Sequence, residues 1–332
     1  MAIGSGMGSS FGIAVQTSSY TTRVAPDTFF VANSYSINRT QNRVQGEGIL
    51  GGNFGDLLDH YVETINGAEA TVAFDVQSKK MGKFLNVLMG GTVTPTQIST
   101  SGAYTQTHTV SDPLGKYLTM QVGAPYRSGT VAVQEIVGAK VTSAEFKCDV
   151  DGILTCNTKL DGYAFDATQS LASPSWVSTQ VFSGKTAVFS IGASIASASA
   201  VVGVRSFSCS IERSMDTEDY VFSASGRKAE PVLNGVTKIS GSVTVDWLDK
   251  TVFQDRVEAN TSAAVKFTVT GATAIGGGQY PTFTIALPTV VFSGDMQGVD
   301  SQKELQSTWD FEWKYDGTNL PYITYISADT TL

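Results

Sequence analysis

Ala70-Thr71-Val72-Ala73-Phe74-Asp75-Val76-Gln77-Ser78-Lys79-Lys80-Met81-Gly82-Lys83-Phe84-Leu85-Asn86-Val87-Leu88-Met89 is the stretch on which the fold turns. Through Val76 the apolar side chains alternate with the period of a half-buried strand. At Gln77-Ser78 the period changes. Met81, Phe84, Leu85 and Leu88 then recur at i, i+3, i+4 and i+7, one apolar face of a helix. Ser78 is placed to cap its start and Gly90-Gly91 to stop it. The pattern returns at Ser242 to Ala259: Val243, Val245 and Trp247 alternate, Asp249 stands at a cap position, and Val252, Phe253 and Val257 form a weaker helical stripe. Phe74-Asp75-Val76 thus has its echo in Val245-Asp246-Trp247, 171 positions later.

Two more echoes flank this one in the same order. Ser34-Tyr35-Ser36-Ile37-Asn38-Arg39-Thr40 matches Ser208-Cys209-Ser210-Ile211-Glu212-Arg213-Ser214 at an offset of 174. Lys159-Leu160-Asp161-Gly162 matches Lys314-Tyr315-Asp316-Gly317 at 155. Ordered echoes with drifting offsets predict an internal duplication whose loops differ in length. Each half also carries a polar segment, Gln41 to Asp56 and Met215 to Glu230, that leads through Asn-Gly (Asn66-Gly67, Asn234-Gly235) to the next strand; Asn-Gly is a tight-turn signal, so these read as long exposed loops or hairpins.

The remaining chain fits around these units. Residues 1–28 are rich in Gly and Ser and read as an extended arm that orders only against a neighbour, so deleting residues 1–24 is expected to spare the fold. Strands are expected near Tyr117–Val122 and Gly129–Val137, with a hairpin of Val141–Val150 and Ile153–Leu160. The domain reading is an arm (1–28), a first module (29–165), a connection with the first strand of the next module (166–200), and a second module (201–332).

Composition narrows the function. The chain has 332 residues, 22 Lys+Arg against 30 Asp+Glu, and a net charge of −8. A protein that grips nucleic acid neutralises phosphates with clustered cations, and this one has no such excess. Charged residues make up 16%, below the roughly 25% of ordinary soluble domains, as expected for a surface partly covered by further copies. Met1 to Ser10 lacks the apolar core of a signal peptide, and Thr186 to Val204 is too broken by Ser and Gly to read as a membrane span.

No constellation of catalysis emerges. His60 and His108 have no partner at metal spacing, no Gly-x-Ser-x-Gly elbow flanked by a strand and a helix appears, and Asp149-Val150-Asp151-Gly152 lacks the distal Glu of a calcium loop. The three cysteines are read as reduced core thiols. In a two-residue turn at Asp151-Gly152, Cys148 faces Thr155 and the thiols of Cys148 and Cys156 diverge; a three-residue loop brings them together. Trp309, Phe311 and Trp313 share one strand face, as core or subunit contact. Neither catalytic nor metal residues, nor a cofactor, are expected.

The arm, the first strand Phe29-Phe30-Val31, the polar loop, the strand and short helix of Thr71 to Met89, the Gly/Thr loops and the hairpin of Lys147 to Gly162 together resemble the tail tube, or major tail, proteins of long-tailed bacteriophages. The resemblance spans most of the chain as a pattern of elements. It implies a mainly β fold: two tandem β-sandwich or small-barrel modules, each flanked by one short helix. It also implies a structural virion protein, assembled in the host cytoplasm, whose stacked rings form a hollow tube for DNA. Two modules per chain favour a ring of three chains with pseudo-six-fold symmetry, six chains being the rival. Other partners implied are the tape measure and tail terminator, with DNA passing unbound and no membrane. Core helix packing then falls to Met81, Phe84, Leu85, Leu88, Val252, Phe253 and Val257. Inter-ring loop contacts fall to Arg39, Arg43, Glu47, Arg213, Asp216, Glu218 and Asp219, and arm contacts to Phe11, Ile13 and Val15. The competing readings are a two-domain β-sandwich adhesin, an enzyme with paired acids, and a type VI-like secretion tube component.

Overall fold

A computed structural model describes residues 8–48, 54–126, 129–222, 226–247, 250–294 and 305–332. These described residues form eighteen strands, paired antiparallel with one another, and two short α-helices.

The opening stretch folds as its periods dictate. Strand β4 (Tyr61–Asp75) buries Val72 and Phe74 and exposes Thr71. Helix α1 (Gly82–Met89) follows, with Met81, Phe84, Leu85 and Leu88 all buried. Phe84 meets the edge of Phe74 with ring centroids 5.2 Å apart. Gly90 ends the helix at φ 83°, where an added Cβ would lie 2.7 Å from the carbonyl of Ser111, so the stop needs glycine. The helix start differs from expectation. Met81 occupies the cap position without a side-chain bond, and the Ser78 hydroxyl instead accepts the Gln180 amide at 2.8 Å.

The first module has two layers. In one, β3 (Ala32–Gln45) pairs with β4, β4 with β9 (Thr155–Gly162), and β9 with the C-terminal part of β8 (Val131–Asp149). In the other, β2 (Thr28–Phe30), β1 (Ser10–Gln16), β7 (Tyr117–Pro125), the N-terminal part of β8 and β10 (Ala164–Asp166) lie side by side. The two strands expected at Gly129–Val137 and Val141–Val150 are one strand that changes layers. It turns at Gly138 (φ 66°) and at a bulge between Val141 and Ser143. Helix α1 packs against β8.

The second module repeats these pairings. Strand β13 (Val204–Glu212) pairs with β14 (Lys238–Asp246), β14 with β17 (Gln306–Trp313), and β17 with the end of β16 (Thr282–Ser293). Its other layer runs β12 (Ser199–Ala200), β11 (Ala187–Gly192), β15 (Ala263–Thr270), β16 and β18 (Tyr322–Ser327). Helix α2 (Gln254–Glu258) has only five residues. It is positioned by Phe253, which is buried and stacks on Trp309 at 5.9 Å; Val252 and Val257 are half-buried against the same core. Asp249 lies outside the described residues.

The physical register corrects two of the echo offsets. Both opening hairpins carry a bulge, between Ala32 and Ser34 and between Val204 and Ser206, which matches Ser34 to Ser206 at an offset of 172. Thr71 faces Lys159 and its counterpart Ser242 faces Asp310, which sets the last hairpin at 151. The textual matches at 174 and 155 slipped by an even number of residues, preserving the buried face and so the apolar pattern.

Three further expectations fail for identifiable reasons. Residues 10–16 are not an arm awaiting a neighbour. Strand β1 pairs with β7 and β2 of its own chain and buries Phe11, Ile13 and Ala14, with Val15 half-buried beside them. Asn66-Gly67 is not a turn. It sits within β4 opposite Gln41 and Thr40, so the polar segment is the outer half of a long β3–β4 hairpin. Cys148 does not face Thr155, which faces Lys147; Cys156 faces Phe146. Cys148, Cys156 and Cys209 are free and buried, and burial pushes Cys148 up to about 11 and Cys209 to about 12, with Cys156 also raised. We expect all three thiols to resist alkylation in the native protein near pH 8 and to react together in denaturant; a rapidly modified native thiol would contradict this burial.

The modules join through their strands. Strand β13 lies against β8 from Ser206–Asp149 to Glu212–Ser143, and β18 against β6 (Tyr104–Thr109). His108 on β6 is buried, 3.2 Å from the amide oxygen of Gln106, and burial lowers it to about 4, so it stays neutral. The segment from Met215 to Glu230 crosses onto the first module. Lys228 reaches Asp161 at 2.5 Å with both side chains buried, and Lys140, itself buried, reaches Glu230 at 2.7 Å.

Candidate functional site

Joining the two modules through β8 and β13 makes one continuous sheet, in the order β3–β4–β9–β8–β13–β14–β17–β16. Side chains alternate across a strand, so the pairing register assigns each residue to one of two faces. One face is core. It carries Val72, Phe74, Leu160, Phe146, Phe207, Ile211, Val243, Val245, Trp309 and Phe311, all buried.

The other face is polar along its whole width. It opens with Ser34, Ser36 and Asn38 on β3, Glu69, Thr71 and Asp75 on β4, and Asn157 and Lys159 on β9. Glu145, Lys147 and Asp149 follow on β8, then Ser206, Ser208, Ser210 and Glu212 on β13. Lys238, Ser240, Ser242 and Asp246 stand on β14, Asp310 and Glu312 on β17, and Ser293 ends the row on β16. Small hydroxyls tie neighbouring strands: Ser208 to Ser242 at 2.9 Å and Thr244 to Thr308 at 3.0 Å. Acids on this face outnumber bases. Glu69, Asp75, Glu145, Asp149, Glu212, Asp246, Asp310 and Glu312 stand with Lys147, Lys159 and Lys238, and with Arg205, which ion-pairs to Asp246 at 2.9 Å. Such a face holds like charge toward a polyanion and offers no cluster of cations to neutralise its phosphates.

The residues singled out from sequence fall elsewhere. Arg39 (ion-paired to Glu63 at 3.6 Å), Arg43 (over the Tyr61 ring at 5.8 Å) and Glu47 lie on or beyond the exposed β3–β4 hairpin. Asp216, Glu218 and Asp219 lie on the crossing segment, the last two exposed. Arg213 is no loop contact. It is fully buried and donates to the Ser111 carbonyl, which ties the end of β13 to the first module. Phe11 and Ile13 are core, not contacts of a free arm. Sequence reading missed the polar face itself. Its signal was present in the alternating Ser of Ser206–Ser210 and Ser240–Ser242, but nothing in the sequence says which strands adjoin.

Among the described residues no group of three or more His, Cys, Asp and Glu side chains is placed to hold a metal, and no helix is long and apolar enough to cross a membrane. These features define the class as a mainly β protein built from a repeated module, with a broad polar sheet face opposite a buried one. Within that class, residues 6–313 match the family model described as phage tail tube protein, and the chain belongs to that family. No curated protein sequence matched the chain.

Proposed function

We propose that chains of this protein close into rings, and that the rings stack into the hollow tube of a phage tail, with the eight-stranded polar face as the wall of the lumen. The observation that carries this is the face itself: one continuous antiparallel surface, polar from β3 to β16, with acids in excess. DNA then slides past a wall of like charge instead of binding to it.

Three chains per ring fit the duplication, each giving two modules (residues 10–166 and 187–327) to a pseudo-six-fold ring. Eight strands from each of three chains, spaced about 4.8 Å and tilted by about 40°, close a barrel of roughly 48 Å diameter, whereas six chains would double it. Arg39, Arg43, Glu47, Asp216, Glu218 and Asp219 are then candidate contacts between successive rings. Further copies are the main partner, with the tape measure inside and the terminator at the tube's end, after assembly in the host cytoplasm. The role is structural, with no reaction assigned.

Negative-stain microscopy of the purified protein, alone and with its tail initiator complex, is expected to show rings or tubes with a central hole. Mass photometry of rings is expected to give three chains. Monomers under both conditions overturn the reading, and six-chain rings overturn the stoichiometry.

A further inference from the structure

Two lysines are buried among the described residues, Lys140 and Lys228, each against a carboxylate where the second module's crossing segment meets the first. Their chemistry differs. At Lys228 the Asp161 carboxylate outweighs burial and holds the ammonium above its ordinary value. At Lys140 burial wins and the ammonium lies below its ordinary value, although Glu230 stands 2.7 Å away and Glu230 and Asp112 both pull the other way. The charge of Arg213 adds to this lowering. A desolvated lysine that releases its proton more readily is a nucleophile.

The surroundings hold this pair as reactants are held. Lys140 stands on β8, and its Nζ donates to the Pro113 carbonyl at 3.1 Å as well as to Glu230 Oε1. The Gly115 amide donates to the same Oε1 at 2.7 Å. Pro113 and Gly115 belong to one turn, closed by the Lys116 amide on the Pro113 carbonyl at 3.0 Å. A backbone N–H so placed is the donor that an oxygen needs as negative charge gathers on it during attack at its carbon. A nitrogen in hydrogen-bond contact with a carboxyl oxygen also lies near the roughly 3–3.5 Å from the carboxyl carbon at which reacting atoms stand before a bond forms. The Glu230 side chain is 20% exposed, which gives a released water a way out. At Asp161, by contrast, Oδ2 has no hydrogen-bond partner among the described residues.

We propose that Lys140 and Glu230 condense into an isopeptide bond, an amide between the ε-amine and the γ-carboxyl group, that joins β8 of the first module to the crossing segment of the second. Lys140 passes a proton to the carboxylate, and Nζ attacks Cδ. The Nζ–Cδ bond forms and the Cδ–Oε2 bond breaks. Oε2 leaves as water with the two protons that the ammonium gives up, and Oε1 remains as the amide oxygen facing Gly115. No oxidant, reductant or cofactor takes part. The reaction replaces two charges held out of water by one neutral amide, which removes the desolvation cost of the ion pair. The bond closes the chain from residue 140 to residue 230 into a loop and welds the modules together before copies meet. It forms within one chain and so stands apart from the ring reading.

Intact-mass spectrometry of the whole chain, denatured after being held folded for days, tests the bond. The parent is expected to be lighter than its sequence by one water, and its proteolytic digest to contain a branched peptide joining Lys140 to Glu230. Lys140→Arg, which keeps the charge, and Glu230→Ala are expected to lack both, and the parent to run ahead of either variant in a denaturing gel. A parent at full sequence mass overturns the proposal. So does a water loss that persists in Lys140→Arg, or one that maps to Asp151-Gly152, Asp161-Gly162 or Asp316-Gly317, where cyclisation of an aspartate onto the next amide also releases water. The decisive mass is that of the parent, so a variant that fails to fold leaves the test intact.

Discussion

A chain lacking residues 1–24 is expected to lose most or all of its stability, not merely its capacity to stack. Deletion removes β1, the strand that joins β2 to β7, together with the buried side chains of Phe11 and Ile13. Each such side chain contributes roughly 1.5–3 kcal/mol by burial. The deletion also removes Arg23, whose guanidinium binds both carboxylate oxygens of Glu135 at 2.5 and 3.0 Å. Glu135 is wholly buried, and without Arg23 its remaining side-chain partner is Gln121 at 2.7 Å. Stripping one partner from a buried ion pair costs about 3–5 kcal/mol. The combined loss exceeds about 5 kcal/mol, comparable with the roughly 5–15 kcal/mol that holds a whole domain together. Thermal and urea melts followed by circular dichroism should show a collapsed transition or an unfolded chain. A truncated protein that melts with the parent would mean that β1 contributes nothing.

The second large effect is expected at Lys228→Met. Lys228 and Asp161 are 1% and 4% exposed and their charged atoms stand 2.5 Å apart. Burial pushes Asp161 up to about 6 even with the lysine beside it; for Lys228, burial lowers the value and the carboxylate of Asp161 more than offsets it. Removing the ammonium leaves a buried carboxylate with no counter-charge, at a cost of about 3–5 kcal/mol near neutral pH. The sign of the pH dependence follows. An aspartate whose folded value lies above the roughly 3.9 of the unfolded chain adds stability in full below that value, and the contribution is lost as pH rises through the folded value. In the variant the folded value rises further still. The gap between variant and parent in urea midpoint should therefore be wide at pH 8 and narrow markedly by pH 5. A gap independent of pH would show that the loss comes from packing alone. Pairing Lys228→Met with Asp161→Leu should recover much of the loss, since replacing both members of a buried pair by apolar groups is often neutral. The effect also reaches the arrangement of the two modules, because this ion pair pins the second module's crossing segment on the first.

Much of the fold was legible along the chain. The switch of period at Gln77-Ser78 marked a strand and a helix because a strand buries every second residue and a helix every third or fourth. The recurrence at Val243 and Phe253 marked a second module by the same rule. Alternation alone placed Trp309 and Phe311 on one face; that this face is core rather than a subunit contact was decided by the structure. Offsets between the halves were right only where a bulge or a helix fixed them. Elsewhere a slip by an even number of residues leaves the same face buried, so composition could not reject it. The glycine-rich start misled for a related reason: Phe11, Ile13 and Ala14 are few among many small residues, and the strand that pairs along the whole of β1, β7, lies more than 100 positions away.

What the sequence determined by itself is local: which segments alternate, where the first helix stops, that the pattern occurs twice, and that the chain is acidic. Tertiary structure alone decided which strands are neighbours. That choice depends on contacts remote in sequence, β13 against β8 and β18 against β6, whose hydrogen bonds are the same for any pair of strands and leave no mark on the residues that make them. From it came the polar face, which is the sum of eight separate alternations brought into register, and the edge of β3 that has no partner among the described residues, where its counterpart β13 is covered by β8 of the same chain.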